Sequence, residues 1–193
     1  MQQIVDFILE LDKLKGVARK TRPLGLDRYE NSAEHSWQIA MLAASMADYA
    51  AAPVDLNRVI RMLLVHDIGE IDTGDTIAYA VGGWAVRKAA ELAAVQRIFG
   101  LLPDRLRDEY LALWQEFEEG ATADSRFANA ADRAMPVLLN LANNGQSWRE
   151  NGITHERVVT RVAEQIRGGS PALWEYLDGR LAAAARAGWF GTA

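Results

Sequence analysis

The chain has no cysteine among its 193 residues. Disulfides and thiolate metal sites are therefore excluded, and the composition is compatible with a reducing cytoplasm. Histidine is scarce, with three residues, and proline stands at only five positions. A basic excess is missing as well: the formal net charge is −5. That argues against a nucleic-acid partner, because phosphate contacts need a basic surface. No apolar run approaches the length that spans a bilayer, so no membrane partner is expected. The first residues, Met1-Gln2-Gln3-Ile4-Val5-Asp6, lack a basic stretch followed by an apolar one and do not read as a signal peptide. The length and the 50% hydrophobic content fit one globular domain over 1–193 with a sizeable core. Repeats and low-complexity linkers are absent from the sequence.

Periodicity is helical almost throughout, and alternating strand patterns are nearly absent. Ile4, Phe7, Ile8, Leu11 and Leu14 form one apolar face, with Gly16 as its stop. Residues 16–30 read as a loop. Asn31 or Ser32 can cap a helix running to about Ala52, where Pro53 breaks it. Asp55 can cap a third helix that continues through Ile68 and ends at Thr73-Gly74-Asp75. Further helices are expected at about 83–99, 103–118, 122–143, 154–167 and 171–187. The expected fold is all-α, with about seven or eight helices.

The chemistry concentrates in a few residues. His35 stands in Glu34-His35-Ser36, His66-Asp67 in Val65-His66-Asp67-Ile68, and Asp132 in Ala131-Asp132-Arg133. Two imidazoles and two carboxylates make a complete ligand set for one divalent ion. Adjacent residues on a helix diverge by roughly 100°, so His66 and Asp67 can share an ion only at a helix end or a crowded crossing. Asp132 lies among Ala128, Ala131, Met135, Leu138 and Leu139, and a carboxylate among core positions needs a partner or a metal. A six-coordinate ion would keep two positions for water and a substrate oxygen, whereas closed tetrahedral ligation would make the site structural. Glu70 follows His66 by four residues on the same helical side and can move a proton to or from a reacting oxygen. From Lys13 to Arg28 the chain carries Lys13, Lys15, Arg19, Lys20, Arg22 and Arg28 against one acid, Asp27. Such a cluster beside a ligand segment suits a phosphate ester, though any single lysine there is more simply a solvated charge. His155, at a helix start without a paired acid motif, stands outside the constellation.

The order His35…His66-Asp67…Asp132 resembles the HD-domain metal-dependent phosphohydrolases. The strings Arg28-Tyr29-Glu30-Asn31-Ser32-Ala33-Glu34-His35-Ser36 and His66-Asp67-Ile68-Gly69-Glu70-Ile71-Asp72-Thr73-Gly74-Asp75 are similar to the small 5′-deoxynucleotidase branch. The resemblance runs from about Leu11 to Leu141; the last fifty residues carry none. It implies an all-helical, commonly dimeric enzyme that removes phosphate from nucleoside 5′-monophosphates with one divalent ion, whether Co, Mn, Ni, Fe, Zn or Mg. It implies His35, His66, Asp67 and Asp132 as metal ligands, and Glu70, Asp67 and Arg19 as the catalytic group. Arg19 would orient the phosphate with Lys20 beside it, Arg28 would either assist or pair with Glu30 or Glu34, and Asp75 would meet the sugar, with Thr76 to Ala78 continuing that wall. Where the deoxynucleotidases often place a tryptophan after the arginine, this chain has Lys20, so a weaker choice between ribose and deoxyribose is expected. A phosphodiesterase or pyrophosphohydrolase on another small nucleotide is the alternative within the family. The Gly-Tyr-Pro signature and added histidines of the cyclic di-nucleotide branch are absent. A non-catalytic nucleotide-binding protein with a structural metal is the alternative outside it, and the presence of Glu70 argues against that.

Overall fold

A computed structural model describes residues 1–76 and 83–192. The chain begins with α1 (Gln2–Leu11), which tightens into a 3₁₀ turn at Asp12–Gly16. Then follow α2 (Ser32–Ser45), a 3₁₀ turn at Ala47–Tyr49, α3 (Leu56–Val65) and the short α4 (Glu70–Thr73). The remaining helices are α5 (Trp84–Phe99), α6 (Asp104–Glu119), α7 (Ala123–Ala142), α8 (Gln146–Glu150), α9 (His155–Gly169) and α10 (Pro171–Arg186). No strand is present among the described residues, so the expected all-α fold holds. The added elements, α4 and α8, are each about one turn, below what periodicity can register.

Caps set the starts. Asn31 accepts from the Glu34 amide while Glu34 bonds back to the Asn31 amide, a reciprocal capping box that opens α2. Asp55 accepts from the amides of Asn57 and Arg58 and opens α3. Thr122 and Ser125 repeat the capping box at α7. Ser170 caps α10, with Pro171 in its first turn.

Two expected ends move. α2 stops at Ser45 rather than near Ala52, because Met46 leaves helical backbone angles. The chain that follows is tied elsewhere: the Ser170 hydroxyl donates to the Tyr49 carbonyl at 2.8 Å, and the Ala51 amide donates to the Gly169 carbonyl at 2.8 Å. α3 stops at Val65, and tight turns carry the chain through 66–69 into α4. His66 and Asp67 therefore stand at a helix end, the geometry that lets neighbouring side chains converge.

Two apolar clusters fill the interior. One gathers Phe7, Ile39, Val59, Met62, Leu63, Val95, Phe99, Leu113 and Phe127 from α1, α2, α3, α5, α6 and α7. The other gathers Trp148, Val158, Val162, Ile166, Trp174, Leu177 and Leu181 from α8, α9 and α10. α7 belongs to both: Ala128, Ala131 and Leu139 face the first, and Ala134, Val137 and Leu141 the second. Its 20 residues give a rod of about 30 Å, enough to run between both clusters. Pro136 sits inside it and has no N–H for the carbonyl four residues back, that of Asp132.

The approach of α9 to α7 depends on Gly169. A Cβ there would lie 2.2 Å from the Arg126 carbonyl oxygen and 2.6 Å from the Ala130 Cβ. At neighbouring Gly168 a Cβ would meet nothing within 4 Å. Gly169→Ala is therefore expected to destabilise the fold by about 1–3 kcal/mol through overpacking. Gly168→Ala is expected to stabilise it by about 0.5–1 kcal/mol, since alanine is the better helix former. Urea titration of the two variants checks this; effects of one sign would show that the helix contact is not set by the missing side chain.

Candidate active site

Three histidine and carboxylate side chains from three places in the chain converge between the two clusters. His35 lies in the first turn of α2, His66 at the end of α3 and Asp132 midway along α7. One ligand atom of each lies within 4.8 Å of the others, and all three residues are buried. His35 Nε2 is 2.9 Å from Asp132 Oδ1. His66 Nδ1 is 2.9 Å from the Leu63 carbonyl, to which it donates, leaving Nε2 as the free ring nitrogen. That Nε2 is buried, lacks a hydrogen-bond partner among the described residues and lies 3.7 Å from Asp132 Oδ1. Phe117 packs on the His66 ring at 4.8 Å, and the Trp114 indole donates to the His66 carbonyl at 3.1 Å. The imidazole is thus clamped from both sides.

Asp67, expected as a fourth ligand, stands outside that three-residue group and touches it at His66. Its Oδ1 lies 3.0 Å from His66 Nε2, while its Oδ2 accepts from Arg19 Nη1 at 2.8 Å. Arg19 is mostly buried and draws carboxylates from every direction. Glu30 Oε1 lies 3.4 Å from its Nε, and Asp75 Oδ1 and Glu70 Oε1 lie 3.6 and 4.0 Å from Nη1. A local backbone pairing holds Arg19 there: its amide donates to the Glu30 carbonyl at 2.9 Å, and Ser32 N donates to Val17 O at 3.0 Å. Gly69 lets this turn approach α5 closely, since a Cβ would stand 3.2 Å from the Glu91 carbonyl oxygen.

The electrostatics ask for a cation. Burial and the Arg19 charge hold His35 down to about 4, so it is a neutral donor. Burial also opposes charge on His66, but Asp67 and Asp132 outweigh it and push that ring up to about 10. Asp132 is held well below the usual range: its burial is outweighed by the Arg133 charge, by the His35 hydrogen bond and by the nearby His66 ring. Asp67 is held down to about 2, because His66 and Arg19 overcome its burial. Burial and the Asp67 charge raise Glu70 well above the ordinary carboxylate value, which favours its protonated form. Ser32 donates to its other oxygen at 2.5 Å. Burial likewise pushes Glu30 up to about 7 and raises Asp75. A cluster that keeps protons on an imidazole and on acids is short of positive charge. Two nitrogen donors, clustered carboxylates and an orphaned buried Nε2 fit a divalent ion.

Most of these groups line one cavity of about 380 Å³, whereas His35, Glu30 and Ser32 stand behind its wall. Arg19, Lys20, His66, Asp67, Glu70, Asp75, Thr76 and Asp132 all reach its wall. Thr76 is thus brought in, while Ile77 and Ala78 lie outside the described residues. Arg28 is not brought to the wall; it forms a two-pronged pair with Glu34, at 2.6 and 2.8 Å. Lys13 and Lys15 pair with Glu10 and Asp12, and Arg22 with Asp27 and Glu150, so most of the basic run is surface ion pairs. Lys20 lies 5.5 Å from the Tyr29 ring centre. His155 packs against Phe190 at 5.1 Å, in the second cluster.

No place in the site is legible in the sequence for Glu30, Ser32, Arg133, Asn140, Ser147 or Gln165. Glu30 and Ser32 lie inside the quoted motif, and burial alone distinguishes them. Asn140 carried a signal: with Asp132 and Pro136 it follows a four-residue spacing that puts a polar side chain on an otherwise apolar helix.

Comparison with known proteins agrees with this geometry. Over 139 residues the chain is 28% identical to the 5′-deoxynucleotidase HDDC2 of Xenopus laevis, covering 69% of this chain and 68% of that protein. It is 32% identical over 171 residues to a 5′-deoxynucleotidase of Klebsiella pneumoniae, covering 83% and 85%. A solved structure, a predicted metal-dependent phosphohydrolase from Magnetospirillum magnetotacticum, superposes with a TM-score of 0.92 at 42% identity, over 98% of this chain and 97% of that one. The HD domain model matches residues 11–174. That match passes well beyond Leu141, where the resemblance by motif ended, because α9 packs on α7 and contributes to the cavity wall. The chain belongs to the HD domain family.

Proposed function

We propose that this protein is a metal-dependent phosphomonoesterase that releases phosphate from nucleoside 5′-monophosphates. One observation carries the reading. A buried guanidinium, Arg19, stands between Asp67, Glu70 and Asp75 in the cavity that His66 and Asp132 line, and those two form with buried His35 a group suited to a metal. Relatives named 5′-deoxynucleotidase and a net charge of −5 favour a small nucleotide over a nucleic acid. His35, His66, Asp67 and Asp132 would hold one ion, of the Co, Mn, Ni, Fe, Zn or Mg kind. Such an ion supplies Lewis acidity at a phosphoryl oxygen and lowers the pKa of bound water. Arg19 presents a planar donor fork to the phosphate, which a lysine cannot reproduce. Glu70 holds the proton that a departing 5′-oxygen needs. Asp75 and Thr76 face the sugar, and Lys20 stands on the same wall without the bulk of an aromatic ring.

We place the enzyme in the cytoplasm and take it to act as a homodimer. Trp37 and Met41, one turn apart on α2, are exposed and apolar, which supports a self-association face.

Metal binding is testable without turnover. Below pH 10 the metal-free site holds a proton on His66, and an ion needs that nitrogen neutral. Binding is therefore expected to release about one proton per ion at pH 8, and affinity to rise with pH. Calorimetry in buffers of different ionisation enthalpy measures the release. His66→Ala is expected to abolish stoichiometric metal, and full occupancy in that variant would remove His66 from the ligand set.

A phosphate-release screen over mononucleotides, with and without chelator, tests the activity itself. Glu70→Ala is expected to keep metal and lose on the order of 10²-fold or more in kcat. Undiminished turnover would leave Glu70 a structural acid.

Asp75→Ala is expected to raise KM for nucleoside monophosphates much more than for a phosphate ester lacking the sugar. The buried acceptor it removes is worth about 1–3 kcal/mol when paired. Parallel losses on both substrates would return Asp75 to supporting Arg19.

A further inference from the structure

Beyond Pro136 the cavity continues past the groups used in the proposed reaction. Asp132, Pro136 and Asn140 line it at four-residue spacing, so this arm extends about 12 Å along the α7 axis. Arg133 of α7, Ser147 of α8, and Arg161, Val162 and Gln165 of α9 line the same cavity.

Apart from the Arg161 guanidinium, which also lines the cavity, three polar atoms of this arm lack a hydrogen-bond partner among the described residues. Asn140 is 4% exposed. Its Nδ2 donates to the Pro136 carbonyl at 2.9 Å, which orients the amide and leaves Oδ1 as an acceptor with no hydrogen-bond partner among the described residues. Gln165 Oε1 and Arg133 Nε are buried and likewise without such a partner. The nearest anion to Arg133 Nε is Asp132 Oδ2, 3.6 Å away. Buried polar atoms are nearly always paired, so several unpaired ones on one cavity wall mark a surface built for a ligand.

Asn140 and Gln165 thus offer two acceptors and Arg133 one donor. The complement of this set is an edge with two N–H donors beside one acceptor. A second phosphate offers acceptors only and would face two amide oxygens. Guanine offers N1–H and N2–H beside O6. We propose that this arm is a nucleobase subsite, and that Asn140, Gln165 and Arg133 select a base with the guanine edge. The proposal rests on the nucleotide reading of the phosphate end and adds a choice of base to it.

Guanosine and inosine share the ribose, lack phosphate and differ only in the 2-amino group, so the difference in their binding reports on the base edge. Titration calorimetry on the metal-loaded protein is expected to show guanosine binding at least about tenfold tighter than inosine. Gln165→Leu, a partly exposed position, is expected to weaken guanosine by about tenfold and leave competition by inorganic phosphate unchanged. Asn140→Leu is expected to do the same, and its melting curve tells lost binding from lost folding. If it unfolds, Gln165→Leu decides. Equal binding of the two nucleosides by the wild type, or undiminished guanosine affinity in Gln165→Leu, overturns the proposal. A gain in affinity from an added phosphate without nucleoside discrimination would make the arm an anion site and overturn it too. Phosphate release from guanosine monophosphate is measured separately. Selective guanosine binding without release would sink the phosphatase reading and keep the subsite, and release without selectivity would do the reverse.

Discussion

Asp132 is a carboxylate buried on the helix that both apolar clusters share, and the polar centre is arranged around it. Taking a carboxylate out of water costs several kcal/mol unless it is compensated. The compensation arrives from separate parts of the chain: His35 of α2 at 2.9 Å, His66 at the end of α3 at 3.7 Å, and the adjacent Arg133 at 3.6 Å. Each partner is itself fixed from behind. The capping box sets the start of α2 and so the height of His35, and the Leu63 carbonyl and Phe117 set the plane of His66. α7 therefore carries packing on two sides and a charge on a third.

Arg19 plays the matching part on the opposite wall. It is the buried guanidinium shared by Glu30, Asp67, Glu70 and Asp75. An arginine so surrounded is pre-oriented, and little side-chain entropy remains to be lost when a phosphate arrives. The acids around it divide by environment. Asp67, against His66 and Arg19, is held low and ionised, while Glu70, buried beside the Asp67 charge, is pushed the other way. Neighbouring carboxylates pushed apart in this way can take different roles in one reaction.

Most of the helices were legible because their apolar positions repeat at helical spacing over long stretches and their caps carry Asn, Asp, Thr or Ser. The end of α2 was not, since residues 46–51 are compatible with more helix. What stops it is bonding of Tyr49 and Ala51 to Ser170 and Gly169, more than a hundred residues away. The break between α3 and α4 was equally hidden: His66-Asp67-Ile68-Gly69 holds no proline. Gly69 earns its place through the approach of α5, a contact that sequence spacing does not contain.

By itself the sequence determined the donor chemistry: two imidazoles with two carboxylates, a following glutamate and an arginine upstream, in an all-helical chain without thiols. Those depend on residue identity and local spacing alone. Tertiary structure decided which charges count. Arg19 is buried among acids while Arg28, nine residues on in the same basic run, is spent on Glu34 at the surface. It also decided that Asn140, Gln165 and Arg133 share one cavity wall with the metal-type cluster, since two helices distant in sequence must pack before their polar faces can form a single surface. Desolvation and charge pairing depend on what surrounds a side chain in space, and that environment exists only once the helices are assembled.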